Sequence, residues 1–170
     1  MSVTIREARA GDAAAIAAIY NEGIRGRGAT FETVERTAAD ILAWLDAAPI
    51  GAFGLVHPLL VATDASGLAL GFVRASGYRA RECYAGIAEF SVYVAGAARG
   101  RRVGDALMAA FLPACAAAGH WKILSRIFPE NAASRALCAR HGFREVGVYE
   151  RHARLDGVWR DVVIVERLLG

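Results

Sequence analysis

Cysteine is scarce in this chain: Cys83, Cys115 and Cys138 are an odd number with no pairing pattern. A disulfide scaffold is therefore not expected, and reduced thiols in a cytosolic protein are the simplest account. Lysine is scarcer still. Arginine supplies nearly all of a net charge of +3, at a sequence pI of about 9.0. The opening Met-Ser-Val-Thr-Ile-Arg-Glu-Ala-Arg holds no apolar signal region. No hydrophobic run is long enough for a bilayer: the longest uncharged helical run, Ala106–Gly119, is short and contains Pro113. Zinc-finger spacing and basic helices with interleaved aromatics are missing, so no nucleic-acid partner and no metal are expected. Linkers, repeats and low-complexity segments are missing too. What remains is 170 residues, 55% of them hydrophobic, enough for one domain over 1–170 with a real core.

The pattern of that hydrophobicity is mixed. Val3–Ala8 alternates and reads as a strand. A helix follows from Gly11-Asp12 to about Ile24, with Asp12 as a capping carboxylate. Residues 25–33 form a glycine- and arginine-rich loop, in which Phe31 is either a hydrophobic plug or a pocket wall. A second helix fits Thr37–Ala48, with Pro49 after its end. Strands follow at Leu59–Thr63, Leu68–Ala75 and Cys83–Val94. A helix over Gly104–Ala118 should kink or break at Pro113. A strand at Trp121–Phe128, a helix at Ala132–Arg140 stopped by Gly142, and strands at Phe143–Glu150 and Trp159–Leu168 complete the order. Asp156-Gly157 turns the last hairpin, and Trp159 reads as core. The order implies an α/β or α+β architecture with a partly antiparallel sheet of about seven strands and about four helices.

Chemistry concentrates at 83–106. From Cys83 to Ala98 the one charged side chain is Glu89. A lone carboxylate in an apolar strand is costly unless it is paired, hydrated or used. Its structural alternative is an ion pair with an arginine such as Arg79 or Arg81. Ten residues on, Arg99-Gly100-Arg101-Arg102-Val103-Gly104 joins three cations and two glycines at a helix start. Glycine admits close backbone approach, and a helix N-terminus offers N–H groups to an anion. A proton acceptor beside an anion cradle suits a phosphate-bearing ligand. Arg79 and Arg81 lie two apart, so an extended segment points both one way, a fork for a phosphinate, arsinate or carboxylate.

The element order and the 99–104 loop resemble the GNAT superfamily of acetyl-coenzyme A-dependent N-acetyltransferases, whose signature is Gln/Arg-x-x-Gly-x-Gly/Ala. Arg102 stands at its first glycine. The closer resemblance is to the phosphinothricin and arsinothricin N-acetyltransferase branch. It rests on Tyr78-Arg79-Ala80-Arg81 with Tyr84, on Ala88-Glu89 with Val92-Tyr93-Val94, on Asn131 to Leu137, and on Asp156 to Val162. Two departures stand out: Cys138 replaces a tyrosine that serves many relatives as general acid, and Asp156 replaces a histidine.

The resemblance implies a GNAT fold, a homodimer, and acetyl transfer from acetyl-coenzyme A to the primary amine of a small anionic amino acid. Phosphinothricin, arsinothricin and methionine sulfoximine are of this class. Glu89 becomes the general base, directly or through a water. Val92, Tyr93 and Val94 meet the pantetheine arm, which requires a gap between the 83–94 and 121–128 strands. Arg99, Gly100, Arg101, Arg102, Val103, Gly104, Asp105 and Ala106 cradle the pyrophosphate, with the Asp105 side chain turned away. Asn131 and Ser134 contact the coenzyme, Asn131 also serving as a helix cap. Phe31, Arg79, Arg81 and Tyr84 bind substrate. Cys138 or Tyr149 could return a proton to the coenzyme thiolate, but the general acid stays unassigned, and Cys138 reads rather as a small packed side chain. Two other functions compete: acetylation of a protein N-terminus or lysine, and a non-catalytic coenzyme- or nucleic-acid-binding module.

Overall fold

A computed structural model describes residues 2–47 and 53–170. Seven strands form one sheet: β1 (Thr4–Glu7), β2 (Leu59–Thr63), β3 (Ala69–Gly77), β4 (Ile87–Val94), β5 (Lys122–Ile127), β6 (Arg144–Leu155) and β7 (Val158–Leu168), in the spatial order β1-β2-β3-β4-β5-β7-β6. Four helices cover it: α1 (Ala13–Arg25), α2 (Ala38–Ala47), α3 (Val103–Ala117) and α4 (Ala132–Arg140). The strand and helix counts match the sequence reading. The expected end of the second helix, Ala48 and Pro49, lies outside the described residues.

Side-chain alternation along the central strands separates two apolar layers. Val73, Ala88, Phe90 and Ile123 face α3, where Leu107, Met108 and Phe111 are fully buried. Phe72 and Tyr93 face the other way, onto Ile16, Tyr20 and Ile24 of α1 and Ile41 of α2. Tyr20 stands edge-on to Tyr93 at 4.8 Å. Glycine permits this closeness: a Cβ on Gly23 would lie 2.8 Å from the Tyr93 ring, and one on Gly71 would lie 2.7 Å from the Tyr93 carbonyl oxygen.

Three expectations need correction. The central strand begins at Ile87, because Glu82–Tyr84 close a 3-10 turn first. The last hairpin is longer than its apolar pattern, β6 continuing to Leu155 through exposed polar residues. Helix α3 runs unbroken through Pro113. The proline removes the N–H that Ala109 would receive, but both residues lie on the solvent face, where water can serve that carbonyl. Asp12 stands at the start of α1 as read, but its carboxylate makes no cap bond to that helix; it accepts the Arg9 N–H at 2.7 Å and a two-pronged contact from Arg6. Asp156 and Gly157 both take positive φ, the pattern of a type I′ hairpin.

Gly71→Ala should be destabilising by about 1–3 kcal/mol, since the new methyl meets backbone rather than a movable side chain. Urea denaturation should show a lower midpoint with an unchanged slope.

Candidate active site

The site begins where a strand pairing ends. β4 and β5 are parallel, and their register covers three pairs: Ile87 with Lys122, Ala88 with Ile123, and Glu89 with Leu124. Beyond Glu89 the two strands separate. β4 stays paired to β3 as far as Gly71 with Val94. In an antiparallel ladder, alternate residues turn their backbone groups to the partner strand. Ala95 donates its N–H to Leu70 O at 2.9 Å, so Tyr93 and Ser91 also face β3. Phe90, Val92 and Val94 therefore direct their N–H and C=O groups into the opening. Two side chains confirm the direction: Ser125 Oγ donates to Phe90 O at 2.9 Å, and Arg99 Nε to Val94 O at 3.4 Å. The gap expected beside Val92 and Val94 is present. Tyr93 differs from its neighbours, with its backbone on β3 and its ring in the core.

Past Val94 a short turn leads to α3. Gly100 and Arg102 both have positive φ, at 74° and 60°. Arg102 thus takes the left-handed conformation that glycine favours, and its side chain is exposed. The backbone keeps a glycine-like path with an arginine in it. Val103, Gly104 and Asp105 open the helix, where N–H groups have no intrahelical acceptor. Ala106 donates to Arg102 O at 3.1 Å. A Cβ on Gly104 would lie 3.2 Å from Leu137, so this glycine lets α4 close on α3. Asp105 turns away from the loop, accepting from Arg140 at 3.0 and 3.2 Å and lying 3.2 Å from His141 Nε2. The hydrogen bond from Arg140 holds the Asp105 carboxyl below the usual carboxylate range.

Across the opening stands α4. Asn131 accepts the Ser134 N–H at 3.1 Å as a helix cap and donates to Gly28 O at 3.3 Å. Both line the cleft together with Val92, Tyr93 and Cys138. Burial pushes the Cys138 thiol up to about 12, so it stays a neutral thiol. Tyr149, half-exposed on β6, lines none of the described cavities.

Glu89 lies on the other sheet face, at the mouth of the same opening. It lines a cavity of about 500 Å³ with Phe31, Ser91, Ser125 and Arg126. Phe31 is both plug and wall: it stacks edge-on to Phe128 at 4.9 Å and lines this cavity. The arginine that meets Glu89 is Arg126, rather than Arg79 or Arg81. Its two terminal nitrogens donate to the two carboxylate oxygens at 2.7 and 2.8 Å. The register explains the meeting. Leu124 is opposite Glu89, and Arg126, two residues on, points to the same face. The side chains are 37% and 22% exposed. A pair this wet contributes up to about 1 kcal/mol and opens easily. Sequence reasoning passed over Arg126, although a cation in the apolar run 121–128 was its visible signal.

Arg79 and Tyr84 line a separate cavity of about 270 Å³ with Leu55, His57 and Ile87. Arg81 does not line it. The two arginines lie over different rings, Arg79 5.1 Å from Tyr78 and Arg81 6.0 Å from Tyr84. Trp159, read as core, is half-exposed under Arg154. Among the described residues no cluster of His, Cys, Asp and Glu is placed to hold a metal, and no helix is long and apolar enough to cross a membrane.

A strand splayed from its neighbour thus leads into a glycine-like loop at a helix start, with a carboxylate at the mouth of the opening. The model of the acetyltransferase (GNAT) domain family matches residues 2–144. The chain belongs to this family and is an acetyltransferase.

Its relatives narrow the likeness. It is 39% identical over 158 residues to the phosphinothricin N-acetyltransferase of Streptomyces coelicolor, covering 89% of this chain and 87% of that one. It is 32% identical over 166 residues to the L-methionine sulfoximine/L-methionine sulfone acetyltransferase of Pseudomonas aeruginosa, covering 98% and 94%. Among solved structures, the phosphinothricin acetyltransferase of Sinorhizobium meliloti in complex with acetyl-coenzyme A superposes with a TM-score of 0.90 at 29% identity, covering 100% and 90%.

Two outcomes follow. Arg102→Gly should stabilise the protein by about 0.5–1 kcal/mol, the relief of a left-handed side chain less glycine's entropy; chemical denaturation measures it. The second concerns His57, stacked on His120 at 5.2 Å. Burial first, then the charges of His120 and Arg74, lower its pKa from 6.5. The unfolded chain then binds the proton more readily. Stability is intact above about pH 6.5 and falls as pH drops through that value. His57→Gln should flatten this fall in urea midpoints between about pH 7.5 and 5.5.

Proposed function

We propose that this acetyltransferase moves an acetyl group from acetyl-coenzyme A to the primary amine of a small amino acid, either anionic, as phosphinothricin is, or zwitterionic with a polar side chain, as methionine sulfoximine is. The observation that carries the reading is the placement of Glu89 at the mouth of the β4–β5 opening, inside a polar cavity of amino-acid size. Acetyl-coenzyme A supplies the activated acyl carbon as a thioester. Val92 and Val94 hold its pantetheine arm through strand-like hydrogen bonds. The N–H groups of Val103, Gly104 and Asp105, with Arg99, Gly100, Arg101 and Arg102, hold its pyrophosphate, while Ala106, whose N–H donates to Arg102 O, closes the first turn behind them. Asn131 and Ser134 contact it from α4, and Tyr93 packs behind the cleft.

An ammonium has no lone pair, so the amine must lose a proton before it attacks. Glu89 takes that proton, directly or through a water. Arg126 donates to both oxygens of the carboxylate, and that pair is partly hydrated. Phe31 walls the amine's side of the cavity. Arg79 and Tyr84 serve the side-chain acid of a phosphinothricin-like substrate, and Arg81, outside their cavity, adds positive charge beside it. Ile87 lines the Arg79 cavity and Glu89 the other; two residues along a strand span about 7 Å, the reach of a two-acid amino acid. The likeness to the phosphinothricin enzymes also leads us to a homodimer through β6 and β7, where Val146, Val148 and Val158 are exposed. A cytoplasmic setting without nucleic-acid partners belongs to the same reading.

Thiol release from acetyl-coenzyme A across a panel of such amino acids tests this. Glu89→Gln should lower kcat by about 10²–10⁴. Arg79→Ala/Arg81→Ala should raise KM by about 10- to 100-fold with a smaller effect on kcat. Turnover of peptides or polyamines but of no amino acid would replace the substrate class.

A further inference from the structure

We infer that Arg126 receives the acid group next to the substrate's amine, and that its ion pair with Glu89 is exchanged when the substrate enters. The inference rests on the amino-acid reading above and names a specificity residue for it. Arg126 is the one lysine or arginine among the residues lining the Glu89 cavity. Two carboxylates share that lining, Glu89 and Glu32, and Glu32 is engaged by Arg36 at 2.8 Å. Arg160 lies nearby over the Phe128 ring at 4.4 Å, but Glu130 holds it. An acid group entering the cavity therefore meets a single guanidinium, already arranged as a fork for a carboxylate.

The fork's present partner is the proposed base. A zwitterionic amino acid carries an ammonium and a carboxylate on one carbon. It can replace each member of the Glu89–Arg126 pair with its own opposite charge: the substrate carboxylate takes Arg126, and the substrate ammonium takes Glu89. No net charge is left unpaired at either end. Glu89 then faces the nitrogen whose proton must leave. An amine without the adjacent acid leaves Arg126 on Glu89, where the fork competes for both carboxylate oxygens. The pair thus selects amino acids over simple amines and holds the base engaged in their absence.

Ser91 and Ser125 line the same wall, but Ser125 spends its hydroxyl proton on Phe90 O and leaves anion recognition to the arginine. Both Glu89 and Arg126 stay partly exposed, so the exchange needs no burial of a bare charge.

The test compares wild type, Arg126→Met and Arg126→Lys on methionine sulfoximine and on its α-carboxamide, which keeps the amine but lacks the acid. Wild type should prefer the acid. Arg126→Met should raise KM for the acid by about 10- to 100-fold and bring the acid-to-amide ratio of kcat/KM to within about threefold, while Arg126→Lys recovers part of it. A binding readout runs alongside: calorimetry with N-acetyl-methionine sulfoximine, which has the acid but no ammonium. Glu89→Gln should bind this probe about tenfold more tightly, because the internal competitor for the fork is removed. A merely structural arginine would leave that affinity unchanged. Wild-type turnover with an unaltered ratio in Arg126→Met, or no gain of affinity in Glu89→Gln, overturns this inference alone. No turnover of any amino acid by wild type overturns the amino-acid reading and this inference with it.

Discussion

Everything at this site depends on a parallel ladder that stops. β4 and β5 share three residue pairs and then separate, while β4 continues against β3. A strand paired on one side presents a row of unused backbone groups on the other. In most sheets that row is an edge to be protected. Here it lies in the middle of the sheet, walled by α3 and α4, and its alternation selects Val92 and Val94 to face the opening. The same separation places the mouth of the cleft at the last pair, Glu89 with Leu124. One break in hydrogen bonding thus leaves both the row of free backbone groups and the carboxylate at its mouth.

Around that break, local costs are kept small. Arg102 accepts a left-handed backbone so that the loop can follow a path suited to glycine. Gly104 remains glycine where Leu137 presses from α4. Asp105, at the start of α3, is drawn off the loop by Arg140 and His141. The ion pair of Glu89 with Arg126 follows the same economy. Partly exposed, it contributes little to stability and opens at less cost than a dry pair, which would leave a buried charge.

The linear pattern had foretold much of this, and for particular reasons. Helix α4 matches its expected bounds because Asn131 caps it and Gly142 ends it, signals that act within a few residues. The loop at 99–104 was legible because backbone conformation and helix start are local. The strand at 83–94 was read too long, since Cys83 to Ala85 are apolar enough for a strand but turn in 3-10 geometry. Pro113 looked like a helix breaker because sequence alone does not say which face of α3 meets water.

Sequence by itself determined the order of elements, the glycine- and arginine-rich loop, the lone carboxylate and the family, because periodicity, caps and glycine positions are properties of short stretches. Only the tertiary structure decided who meets Glu89. Arg79 and Arg81 are near it in the chain, yet they line or flank a different cavity. Arg126 is 37 residues away and arrives by register, opposite Leu124 plus two. Strand pairing across such a distance is set by which faces can be buried together, and no local pattern encodes it.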